Sequence, residues 1–130
     1  MNKYTGTFNI TLQGKEYTLR PSFEALVEFE EKSGKAVNEA FQDMLAGKMS
    51  FKTIACAIWA GIKGEAAYNN APKDSLKYLV VGEMIKKDGL QNHVESATNF
   101  FTMALIPEEQ QKQLAEEESD SETPESKKNT

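Results

Sequence analysis

The chain reads as an α+β domain that is mostly α, an N-terminal β-hairpin packed on a bundle of about five helices with a disordered acidic tail behind it. Three observations predict this. Apolar and polar residues alternate over the first twenty positions. From Phe23 the apolar period lengthens to about 3.6 residues. After Pro107 apolar residues almost vanish while charges accumulate.

In the hairpin, Phe8, Ile10 and Leu12 alternate with Asn9 and Thr11, and Tyr17 and Leu19 alternate with Thr18 and Arg20. Gly14 supplies the residue a tight turn needs. Pro21 ends the second strand, because it has no N–H to give to a ladder. Ser22 is placed to cap the next helix.

The first helix is expected from Phe23 to Ser33, with Phe23, Leu26 and Val27 inward and Gly34 as a left-handed cap. The second, "VNEAFQDMLAG", repeats Val37, Ala40, Phe41, Met44 and Leu45 at helical spacing. A third starts at the cap candidate Ser50 and is striped with Phe51, Ile54, Ala55, Ile58, Trp59 and Ile62; Gly64 is expected to close it. The fourth should run from about Lys73 to Lys87 with Leu76, Leu79, Val80 and Met84 inward. The fifth should run from about Leu90 to Leu105, burying Leu90, Val94, Ala97, Phe101 and Ala104.

These signals divide the chain into a folded domain, 1–107, and an acidic, largely disordered tail, 108–130. A short helix starting at Pro107 suits the proline and the acids after it. The tail carries eight acids against three lysines and so holds the whole net charge of −5, leaving the body neutral. A neutral body gives no electrostatic footprint for nucleic acid or for an anionic membrane surface. The one cysteine, Cys56, excludes an internal disulfide and a CxxC zinc site. Neither a signal-peptide pattern nor an apolar run of bilayer length occurs, so the expected location is the cytoplasm.

Glu30 is the most conspicuous polar residue, because it falls near the centre of the face that Phe23, Leu26 and Val27 define. A buried carboxylate needs a partner, and the single arginine, Arg20, is the first to propose; the pair is read as structural. The other reading is a general base with a raised pKa, but no nucleophile accompanies it. Glu24, Glu28 and Glu31 form a solvated row rather than a metal site. His93 and Cys56 border apolar stripes and read as packing residues. "AGKMS" lacks the first glycine of a P-loop, and no nucleophile-elbow motif occurs. Nothing calls for a catalytic group, a cofactor or a metal.

What remains is surface. Small residues around Ile58 on the third helix, Ala55, Ala57, Ala60 and Gly61, allow another helix to approach closely. The aromatics Phe29, Trp59 and Phe100 exceed what one stripe per helix requires. With Ile62 they are the candidate residues for binding a partner helix.

In order, "YTLRPSFEALVEFEEKSG", "FQDMLAGKMSFKTIACAIWAGIKG" and "LIPEEQQ" resemble the tail assembly chaperones of long-tailed phages and of gene transfer agents. The resemblance covers about Gly14 to Gln111 and is strongest over Tyr17–Gly34 and Ser50–Gly64. It implies a mostly helical, non-enzymatic protein that is absent from the finished virion. Such a protein binds the tape measure protein, keeps it soluble, and helps tail tube protein polymerise around it. Whether the chain also self-associates is left open. The competing reading is a generic adaptor or regulatory module that binds a protein unrelated to tails.

Overall fold

The structure is a computed structural model that describes residues 6–107 and 109–113, apart from the side chain of Asp74. Strands β1 (Phe8–Leu12) and β2 (Lys15–Leu19) pair antiparallel, with Phe8 opposite Leu19 and Leu12 opposite Lys15. The two residues between them, Gln13 and Gly14, have φ of 51° and 79°. Two successive positive φ values give the turn whose twist matches that of the strands it joins. The expected alternation holds, with Ile10, Leu12 and Leu19 buried on one face.

Among the described residues up to Leu105, five α-helices follow: α1 (Phe23–Ser33), α2 (Val37–Leu45), α3 (Phe51–Tyr68), α4 (Tyr78–Asp88) and α5 (Val94–Leu105). Short 3-10 turns, Pro72–Asp74 and Leu90–His93, precede α4 and α5. The expected caps form. Ser22 accepts from Ala25 N–H at the start of α1, and Ser50 accepts from Thr53 N–H at the start of α3. Gly34 closes α1 in the left-handed region at φ 72°, its N–H on the Glu30 carbonyl.

The α3 helix is the axis of the domain. It packs against α1, β2, α4 and α5, and every residue from Thr53 to Ile62 is buried. Such a helix is apolar all round rather than striped. It also runs on to Tyr68, through Gly64, where the sequence suggested an end.

Two expected inward faces are corrected. On α1 the buried residues are Ala25 and Phe29, while Phe23 is 81% and Val27 37% exposed. On α4, which begins at Tyr78 rather than Lys73, Val81 and Ile85 are buried, while Leu79 is 76% and Val80 45% exposed. Leu45 and Val94 are likewise exposed. Residues 109–113 are helical, with Gln111 N–H on the Pro107 carbonyl, which fits a short helix after Pro107. The rest of the tail expected to be disordered lies outside the described residues.

Candidate functional site

The hairpin is joined to α3 by a close backbone approach. Arg20 N–H donates to the Gly61 carbonyl at 2.9 Å, inside the helix. A Cβ on Gly61 would stand 2.8 Å from the Leu19 side chain. One on Gly64 would run into the Arg20 carbonyl oxygen and lie 2.9 Å from Ala25 Cβ. Glycine in a helix costs about 1 kcal/mol relative to alanine. Here it admits the strand end and the first turn of α1 to contact distance, and that contact turns Ala25 and Phe29 inward.

Arg20 then closes the joint from outside. Its Nε lies 2.9 Å from Glu65 Oε1, and its guanidinium stacks 3.5 Å over the Tyr68 ring. The expected Arg20–Glu30 pair is therefore wrong in its partner: Arg20 is bound to α3, and Glu30 is on the exposed side of α1. Glu30 still has an architectural task. Its Oε2 accepts from Val37 N–H at 2.8 Å. The N-cap of α2, Ala36, has no side chain for that bond, so a carboxylate from the preceding helix takes its place at the positive helix end.

None of the four residues expected to meet a partner is available to one within this fold. Phe29 and Phe100 are fully buried, Ile62 and Trp59 nearly so. Phe29, Phe100 and Phe101 form one aromatic cluster, with ring centroids 5.2 to 6.1 Å apart. Trp59 packs edge-on against Tyr78 and carries the ammonium groups of Lys32 and Lys63 over its ring, at 5.3 and 5.4 Å. With Glu28 and Glu31, these groups line a mixed-charge surface cleft in which Lys63 reaches Glu28 at 4.0 Å. The surplus of aromatics that suggested an interface is spent on the core.

His93 has an acid that its lack of a motif concealed. Its Nε2 lies 2.8 Å from Asp88 Oδ2, and Asp88 also accepts from the backbone and side-chain amides of Gln13 in the hairpin turn. The His93 bond, then the two Gln13 donors, hold the Asp88 carboxyl below its usual range. This network ties the hairpin turn to the corner between α4 and α5. Burial pushes the Cys56 thiol up, partly offset by a hydrogen bond with Tyr78. Among the described residues no group of three or more histidine, cysteine or acidic side chains could hold a metal ion. Nor is any helix among them long and apolar enough to cross a membrane.

Comparison with protein-family models, with curated proteins and with solved structures finds no match for this chain. The features with chemistry left to offer are on the outside. Phe23 and Val27 project from α1, and Leu79 and Val80 from α4, on the sides away from their buried residues. Sequence reading missed these faces because it assigned the same side chains to the core.

Proposed function

We propose that this chain is a phage tail assembly chaperone that binds the tape measure protein and assists tail tube polymerisation around it. On this reading it is not an enzyme, works in the host cytoplasm and is absent from the finished virion. The observation that carries the reading is the ordered set of segments resembling that family. The two strongest of them, 17–34 and 50–64, form one packed unit through Leu19, Arg20, Ala25, Gly61 and Gly64. The outward apolar side chains suit the role, since a client with long apolar helical stripes is kept soluble by apolar cover.

Co-expression with the tape measure protein of the same genome, followed by size-exclusion chromatography with light scattering, tests it. The expected result is a soluble co-eluting complex, with the tape measure protein insoluble alone. If that protein is soluble by itself and ignores this chain, the chaperone reading falls and the adaptor reading replaces it.

A further inference from the structure

The outer edge of β2 is only half used. With a two-residue turn and the observed register, the pairs Leu12–Lys15, Ile10–Tyr17 and Phe8–Leu19 exchange the ladder bonds. Glu16 and Thr18, which lie between them on β2, therefore turn their backbone N–H and C=O groups outward. The next outward group along the chain, Arg20 N–H, is taken by the Gly61 carbonyl of α3. Those of Glu16 and Thr18 make no hydrogen bond among the described residues. A groove lies alongside them, lined from beyond the strand by Ile62 and Ala66 of α3 and by Leu76.

The strand's side chains sort by face. Lys15 and Tyr17 share the core side of the hairpin with Leu19, whereas Glu16 and Thr18 are on the other. There Thr18 Oγ1 donates to Asn9 Oδ1 at 2.7 Å. The inner side of the groove is thus apolar, with two exposed cations, Lys15 and Lys73, at its margin. Neither lysine enters an ion pair among the described residues. The acid on α3 beside them, Glu65, is held by Arg20 and Asn69.

We propose that this groove binds an extended peptide segment of another protein, which adds to β2 as a third strand. Its backbone pairs with Glu16 and Thr18, and its side chains alternate between the groove and water. Those beside Tyr17 are apolar and cover Ile62, Ala66 and Leu76. An acidic side chain at an end of that row meets Lys15 or Lys73, which is the charge complement the margin lacks. Open strand edges are normally blunted or covered, and here α3 covers only the Arg20 end. The outer edge of β1 offers no such site, because it faces Asn92, Glu95, Ser96 and Asn99 and has no apolar lining from beyond the strand. The inference does not rest on the chaperone reading, since a client met as helices makes no use of a sheet edge.

The test uses the isotope-labelled full-length chain and a capped peptide, Asp-Thr-Val-Thr-Val-Thr-Asp. As a strand it presents both valines and both aspartates on one side, in either orientation along β2. Hydrogen exchange read by NMR should show the Glu16 and Thr18 amides of the free chain exchanging about tenfold or more faster than that of Tyr17. Peptide at millimolar concentration should slow exchange at Glu16 and Thr18. Glu16→Pro removes one outward N–H at an edge position that tolerates proline, and should weaken binding about fivefold. Lys15→Glu with Lys73→Glu reverses the charge at the margin and should weaken it about tenfold. Circular dichroism establishes that each variant is folded, and the lysine pair carries the test alone should Glu16→Pro fail to fold. Peptide that leaves exchange at Glu16 and Thr18 unchanged overturns the proposal. So do folded variants that bind as the wild type does. Slow exchange at Glu16 and Thr18 in the free chain also overturns it, because the edge is then covered by this chain or a second copy of it.

Discussion

The α3 and α4 helices differ in how many of their sides meet protein. From Thr53 to Ile62, α3 has no outer side at all, and its tolerance for neighbours rests on alanines and glycines where they come closest. Along α4 only Val81 and Ile85 are fully buried, yet the opposite side still carries Leu79 and Val80. The first helix repeats the pattern of the fourth, with Ala25 and Phe29 within and Phe23 and Val27 without. Apolar composition therefore marks the core in α3, whereas in α1 and α4 it marks the core and a surface at once.

Substitutions sharpen this contrast, beginning with the core. Phe29→Ala removes the ring at the middle of the aromatic cluster and should cost about 4 kcal/mol of stability, measured by urea unfolding. Gly64→Ala should cost about 2–3 kcal/mol, because the added methyl meets the Arg20 carbonyl, which cannot move without displacing the strand end. An unchanged unfolding midpoint for that variant would mean that the hairpin does not sit on α3 as described. Glu30→Ala should cost about 1 kcal/mol through the lost cap on α2, and Glu30→Gln, which keeps an acceptor oxygen, should recover part of it.

A smaller effect is expected at Asp88. A carboxylate whose pKa is depressed in the folded state adds stability above its ordinary value of 3.8 and loses it as pH falls through the lower folded value. The difference in melting temperature between the wild type and Asp88→Asn should thus be present at neutral pH and shrink below about pH 3.8. The smallest effect belongs to the outer face. Leu79→Ser should change the stability of the isolated chain by no more than about 0.5 kcal/mol. A loss like that of Phe29→Ala would place Leu79 in the core and end the contrast.

Much of the fold was legible. Alternation set the hairpin, Gln13-Gly14 its turn, Ser22 and Ser50 two helix starts, and Gly34 a helix end, all of them local signals. The faces of α1 and α4 were not, because each helix holds two apolar stripes and periodicity cannot rank them. On α1 the larger residues, Phe23 and Val27, drew the reading to the wrong side. The choice is made by a small residue, Ala25, which fits where Gly64 of α3 leaves room. Continuation of α3 past Gly64 was hidden for the same reason, since a glycine that admits a neighbour looks in sequence like one that ends a helix. Glu30 was read as a buried partner of Arg20, whereas it is exposed and Arg20 pairs with Glu65. Its actual partner, a backbone N–H seven residues on, leaves no side-chain signal.

The measurement that bears most directly on the division between a buried core and an exposed outer face is urea unfolding of two variants beside the wild type. One is Phe29→Ala, the other the double variant Phe23→Ser, Leu79→Ser. The account predicts a midpoint well below that of the wild type for Phe29→Ala and one close to it for the double variant. A double variant as unstable as Phe29→Ala would contradict it.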